Sequence, residues 1–242
     1  MIQLYNKDYR EVALPEKVDF VLVDIPYNLG NRAYASSRSW WVGGDFKNGK
    51  SDKAEAKMFD KDENFSIEEL LDYIQKNLKE DSKALIFCSY EQQMEILANY
   101  KKYGFKKYTP LVFIKNSSAE VLKVNMRVVG ACEYGLILYN GKLGTFNNKG
   151  KMIKNWMNFK RGINNLHPTQ KPEDLTCDLI ELFTNEGDTV LDCCMGSGTT
   201  GFCCKKLNRD FIGIEIDEKY FKIAEERING NWVIQKIKKN KK

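Results

Sequence analysis

Thr189-Val190-Leu191-Asp192-Cys193-Cys194-Met195-Gly196-Ser197-Gly198-Thr199-Thr200 is the stretch that decides how this chain folds. Residues 189–192 form a short apolar run closed by an acid, which predicts a buried strand. The glycines that follow open a helix predicted from Gly196 to Leu207. Glycine at such a turn lets backbone approach a ligand closely, and a helix N-terminus offers unpaired N–H groups. A second strand, Phe211-Ile212-Gly213-Ile214-Glu215, then ends in a carboxylate, placed to take the two hydroxyls of a ribose. Strand, glycines, helix, strand and acid together point to a nucleoside-bearing cofactor. A nicotinamide cofactor is the competing reading, and the lack of a second nucleotide-binding turn counts against it.

Outward from this unit, strands alternate with helices. Val18–Val23, Ala84–Cys88, Leu111–Ile114 and Tyr134–Tyr139 read as strands, the first continuous and β-branched as buried parallel strands are. Ser66-Ile67-Glu68-Glu69 reads as a capping box opening a helix to about Lys79. Further helices are predicted for Glu91–Tyr103, stopped by Gly104, for Pro172–Leu182 and for Glu218–Ile228. This alternation predicts an α/β fold: a mostly parallel sheet with helices on both faces. The 242 residues suit one domain.

Val18–Val23 runs into Asp24-Ile25-Pro26-Tyr27. A buried strand ending in acid, spacer, proline and aromatic brings a carboxylate and a flat ring to one point. That pair suits a planar base bearing an amino group, the ring stacking on it and the carboxylate accepting from its NH2. Taken alone, the tetrapeptide is equally a strand followed by a tight proline turn. His167-Pro168-Thr169-Gln170-Lys171-Pro172 is open to two readings as well. It is a proline-led helix entry, or a hydroxyl, an amide and an ammonium set to hold a small carboxylate.

Charge is uneven along the chain. The net charge is +5, and from Gly135 to Pro172 there is no Asp or Glu. That interval carries Lys142, Lys149, Lys151, Lys154, Lys160 and Arg161, interleaved with Asn147, Asn155, Trp156 and Phe159. Cations for phosphates, amides for base edges and aromatics for wedging or stacking make a nucleic-acid-binding composition; the alternative is a solvated basic loop. Residues 29–64 are polar and aperiodic with Trp40-Trp41 embedded, as a lid or binding loop would be. The basic tail 231–242 reads as a frayed end. Seven cysteines, two pairs of them adjacent, fit neither a disulfide framework nor a zinc spacing, so buried thiols and no metal are expected. No apolar run spans a bilayer and no signal core opens the chain, so a cytoplasmic protein is expected.

Asp24-Ile25-Pro26-Tyr27, the His167–Pro172 segment, the 190–200 loop and Phe211–Glu215 with Tyr220 and Arg227 resemble the exocyclic-amino DNA methyltransferases. The catalytic motif precedes the cofactor motif, the order of that family's β group, and the resemblance covers nearly the whole chain. It implies a Rossmann-like methyltransferase fold in which the catalytic half precedes the cofactor half, with S-adenosylmethionine as methyl donor. It implies a catalytic half over about 1–139 carrying the 29–64 insertion. A short target-recognition segment over about 140–165 and a cofactor half over about 166–230 follow. It casts Asp24, Ile25, Pro26 and Tyr27 as catalytic. Thr169, Gln170, Lys171, Asp192, Met195, Gly196, Ser197, Gly198, Thr199 and Glu215 become cofactor-binding. Double-stranded DNA is the implied partner, with the base flipped out of the helix; the family also admits homodimers and a cognate restriction enzyme. Asp at the head of the motif leans to adenine-N6, whereas Ser there is commoner among cytosine-N4 enzymes. Cytosine-N4 transfer and a catalytically silent DNA-binding protein remain the alternatives. Two departures stand out: Ile25 replaces the first proline of Asp-Pro-Pro-Tyr, and Cys193-Cys194-Met195 precede the glycines where the family often has Pro-Phe and Ala.

Overall fold

The computed structural model describes residues 1–27, 65–115, 131–141, 144–159 and 171–230. Within them, eight strands form one sheet: β1 (Ile2–Tyr5), β2 (Val18–Asp24), β3 (Leu78–Cys88), β4 (Lys107–Lys115), β5 (Cys132–Tyr139), β6 (Trp156–Phe159), β7 (Thr189–Asp192) and β8 (Asp210–Ile214). The helices are α1 (Ile67–Asn77), α2 (Tyr90–Asn99), α3 (Glu173–Phe183), α4 (Thr199–Lys206) and α5 (Glu218–Asn229). Strand order is β1-β8-β7-β2-β3-β5-β4-β6. All neighbours are parallel except β5, which runs against both β3 and β4. The mostly parallel sheet expected from the alternation is therefore present, with one reversed strand.

The two faces of β2 explain its unbroken apolar run. Val21 and Val23 pack into one core with Leu70, Ile74 and Ile96 of α1 and α2. Phe20 and Leu22 pack into the other with Leu179, Cys203, Ala224 and Ile228 of α3, α4 and α5. A strand covered on both sides has no polar face to alternate with. On α1, Ile67, Leu70, Leu71 and Ile74 recur at helical spacing and are fully buried. Truncating Ile74 to Ala is worth about 2–5 kcal/mol by the usual cost of deleting such a side chain.

Several boundaries differ from the sequence reading. α4 starts at Thr199 rather than Gly196, because Gly196 (φ 51) and Gly198 (φ 74) adopt the left-handed region and cannot continue a helix. α1 ends at Asn77 because Leu78 is already extended and pairs with Val18. A register shift between Val18 and Phe20 lets β3 continue past its polar start to Lys83. The reciprocal capping box belongs to α2: Ser89 accepts from the Gln92 N–H, and the Gln92 side chain accepts from the Ser89 N–H. On α1, Ser66 accepts from the Glu69 N–H. β1 was not anticipated; four residues with no strong pattern become a strand by pairing with β8. The thiols are mixed rather than uniformly buried, Cys132 being exposed and Cys177 and Cys194 half-buried. The 29–64 insertion and the 231–242 tail lie outside the described residues.

Candidate functional site

Parallel strands β2, β7 and β8 all end on one edge of the sheet, and they deliver Asp24, Asp192 and Glu215 there. Ligands of open α/β sheets bind in the crevice beyond such strand ends. Asp192 is 3% exposed. Its Oδ1 accepts from the Cys194 N–H (3.1 Å) and its Oδ2 from the Thr200 hydroxyl (2.6 Å). Burial pushes its carboxyl up to about 7. Asp192 thus binds its own loop, folding residues 193–200 back over the strand end. Glu215 takes the other side of that loop, Oε2 accepting from the Gly196 N–H (2.9 Å) and Oε1 from the Asp217 N–H (2.8 Å). Burial raises the Glu215 carboxyl, and these two N–H groups pull the other way.

Ser197 and Thr199, expected to be cofactor-binding, meet Arg227 of α5. The Arg227 guanidinium is 4% exposed and donates to the Ser197 carbonyl (3.0 Å) and the Thr199 hydroxyl (3.0 Å). Its other arm pairs with Glu173 of α3 at 2.7 Å. One buried arginine therefore ties the glycine loop to two helices. Gly198 is needed for close packing, since a Cβ there would stand 2.8 Å from that of Ala224. At Gly196 a Cβ would meet nothing within 4 Å, so that backbone faces open space. An open glycine backbone beside a fixed carboxylate fits a nucleoside-bearing group. Met195 donates its N–H to the Ile214 carbonyl (3.0 Å), and its sulfur would crowd a Cβ at Gly213. Its own carbonyl accepts from the Gly198 N–H (2.8 Å), closing the turn of the loop.

The second centre is Asp24. Its Oδ2 accepts from the Lys171 ammonium (2.7 Å) and its Oδ1 from the Tyr27 hydroxyl (3.2 Å). Lys171 also donates to the Tyr27 oxygen (3.3 Å) and lies 3.1 Å from Glu133 of β5. Burial pushes the Asp24 carboxyl above the usual range, opposed by Lys171. Burial pulls the Lys171 ammonium down, but Asp24, Tyr27 and Glu133 outweigh it and hold it well above its ordinary value. Pro26 is braced from behind: its carbonyl accepts from the Gln92 side chain (2.6 Å), the same residue that caps α2. Ile25 is buried and donates its N–H to the Phe87 carbonyl. The described partners of Lys171 are thus Asp24, Tyr27 and Glu133. Thr169 and Gln170 lie outside the described residues, as do His167 and Pro168.

Against this geometry, the model of the family described as DNA methylase, N6/N4 type, matches residues 18–226. The chain belongs to the N6/N4 DNA methylase family. Among relatives of this methylase-family chain, type II methyltransferase M2.DpnII of Streptococcus pneumoniae is 29% identical over 232 residues, 88% of this chain and 83% of that protein. Type II methyltransferase M.HpaI of Haemophilus parainfluenzae is 52% identical over 66 residues, a match spanning 27% of this chain and 21% of that protein. In three dimensions the chain is similar to M1.HpyAVI, solved as a complex with SAM, with a TM-score of 0.72 and 28% identity over 94% of this chain and all of that one. PvuII DNA methyltransferase (cytosine-N4-specific) shares the fold, with a TM-score of 0.71 at 16% identity over 93% of this chain and 86% of that one. S-adenosylmethionine is the family's cofactor.

The methylase's basic segment is more structured than its composition suggests. Asn147, a candidate for base-edge readout, donates to the carbonyls of Glu181 and Thr184 at the end of α3, so its amide caps a helix. Asn155 donates its side chain to the Pro110 carbonyl (3.4 Å), and its own carbonyl accepts from Val112. Residues 156–159 form β6, a strand too short to show a period, laid parallel beside β4. Trp156 stays 42% exposed with the Lys154 ammonium over its ring at 4.7 Å. Lys149 pairs with Glu181 on the surface, and Lys151 is exposed. Lys142, Lys160 and Arg161 lie outside the described residues. Sequence reading missed Gln92, Glu133 and the bracing role of Arg227. Gln92 alone carried a local signal, three residues after the N-cap serine of α2.

Proposed function

We propose that this methylase transfers a methyl group to the exocyclic N6 of adenine in double-stranded DNA at a specific sequence. The observation that carries the reading is the placement of Asp24 and Glu215 at the ends of β2 and β8, with the β7 glycine loop between them. S-adenosylmethionine, when bound, supplies a methyl on a positively charged sulfur. Glu215 and the Gly196 backbone hold its nucleoside end in this proposal. An amino group conjugated with a ring is a poor nucleophile because its lone pair is delocalised. Asp24 and the Ile25 carbonyl accept its two hydrogens and favour a more tetrahedral nitrogen, whose lone pair is then free. Acceptors fixed in advance act by electrostatic preorganisation, and alignment adds a further large contribution. The transfer would balance as one nitrogen–carbon bond formed for the sulfur–methyl bond broken, the pair of that bond staying on sulfur and the proton shed by the nitrogen passing to solvent. The brace from Gln92 to Pro26 holds the turn that carries Tyr27, which stacks on the flipped base.

Asp24 at the head of the motif supports adenine over cytosine. The exposed Lys151, Lys154 and Trp156 on the β6 side support that region as the DNA grip, within a single domain divided as the sequence reading has it. The type II names of the relatives support pairing with a restriction enzyme of the same site specificity. The test is expression in a methylation-free host, followed by digestion of the DNA to nucleosides and mass spectrometry. N6-methyladenine is expected. N4-methylcytosine would overturn the base assignment, and unmodified DNA would overturn the activity.

A further inference from the structure

Asp24 does not stand on a lone ion pair. β5 is the reversed strand of the sheet, so its first residues, not its last, reach the edge where β2 and β3 end. This brings Glu133 beside Lys171, and Lys115, at the end of β4, beside Glu133. The result is a row of alternating charge: Asp24, Lys171, Glu133, Lys115. Its successive separations are 2.7, 3.1 and 2.7 Å. Lys171 is 10% exposed and Glu133 18%. The rings of Phe87 and Tyr27 flank the Lys171 ammonium at 4.9 and 5.5 Å.

The sharing is uneven. Lys171 directs hydrogen bonds at Asp24 and Tyr27, whereas its approach to Glu133 Oε2 is an ion pair without hydrogen-bond alignment. Glu133 is anchored from its other oxygen by Lys115. Two carboxylates thus compete for one buried ammonium. If Asp24 had that ammonium to itself, its oxygens would be poorer acceptors for a substrate N–H. With no ammonium, the buried carboxyl would tend to take up a proton and lose an acceptor site altogether.

We infer that Lys171 and Glu133 are positioning residues that set the acceptor strength of Asp24: Lys171 holds the carboxylate ionised and aimed, and Glu133 keeps Lys171 from neutralising it. This rests on the reading of Asp24 as the acceptor for the target amino group. The charged and titratable groups facing Asp24 among the described residues are Lys171, Glu133, Tyr27, Asp192 and the Cys88 thiol. Burial and Glu133 raise the Asp24 carboxyl, and Lys171 lowers it.

Opposite signs follow. Lys171→Met removes the cation, so Asp24 should titrate higher, as an acid does when a neighbouring cation is lost. Glu133→Gln removes the competing anion, so Asp24 should titrate lower. Lys171→Arg should restore a near-native value. The direct measurement is carbon-13 NMR of aspartate-labelled protein across pH, without DNA or cofactor, with Asp24 assigned by its absence in Asp24→Asn. The parallel measurement is single-turnover methyl transfer against pH, whose acidic limb should move the same way in each variant. Near-ultraviolet circular dichroism identifies any variant that fails to fold, and Lys171→Arg and the isosteric Glu133→Gln carry the test if Lys171→Met does. Unmoved Asp24 titration in both Lys171→Met and Glu133→Gln, or shifts of the same sign, overturns the inference. Full activity in Asp24→Ala instead overturns the acceptor reading itself.

Discussion

Asp192 offers the sharpest quantitative test of the cofactor half. Its carboxylate is 3% exposed and is raised by burial to about 7, while both oxygens bind its own loop. In the unfolded chain an aspartate titrates near about 3.9. Between these values the folded protein holds a proton on Asp192 that the unfolded chain has released. Stability should therefore fall as pH rises from about 4 to about 7, and stay level above that. A difference of roughly 3 units, at about 1.36 kcal/mol each, gives about 4 kcal/mol across the window, an upper value for one group. Asp192→Asn is nearly isosteric. Its carbonyl still accepts from the Cys194 N–H, and its amide can donate to the Thr200 oxygen, because a hydroxyl serves in either role. The variant should lose Asp192's share of the pH dependence, so its stability relative to wild type should rise with pH. Urea unfolding of both proteins at pH 5 and pH 8 measures this, the difference between them cancelling other titrating groups. A stability gap between the two proteins that is equal at pH 5 and pH 8 would refute the reasoning.

Three further outcomes follow from the same geometry. Asp24→Ala should abolish methyl transfer to DNA while largely preserving S-adenosylmethionine affinity, measured by tritium transfer and calorimetry respectively; the described partners of Asp24 are Lys171 and Tyr27, not the glycine loop. Glu215→Ala should weaken S-adenosylmethionine binding about ten-fold or more, since hydrogen bonds to a charged acceptor are worth about 1.5–3 kcal/mol. It should also release the Gly196 and Asp217 N–H groups, so calorimetry is paired with a melting curve, and unchanged affinity in a folded variant removes Glu215 from the site. Replacing Lys149, Lys151 and Lys154 with Ala should reduce the slope of log DNA affinity against log salt by about 0.9 for each phosphate left unneutralised. A wild-type slope would mark the segment as a solvated loop.

What the sequence determined by itself is local chemistry at the ends of apolar runs. Asp24 and Glu215 were legible because each closes a buried strand, and in a parallel sheet strand ends share one edge. The glycine loop was legible because its residue types serve that backbone path and few others. Tertiary structure decided which groups meet across long separations. Lys171 and Asp24 are 147 residues apart, and Pro26 and its brace Gln92 are 66 apart. Glu133 reaches the site only because β5 runs backwards, and no periodicity announces strand direction. Ser197 and Thr199 carry hydroxyls suited to a ligand, but α5 packs a buried arginine against them, and a buried guanidinium must find acceptors. The Asn147 amide meets the end of α3 by the same necessity, since the carbonyls there needed a donor. Residue type sets what a side chain can do, and packing selects the partner that satisfies it.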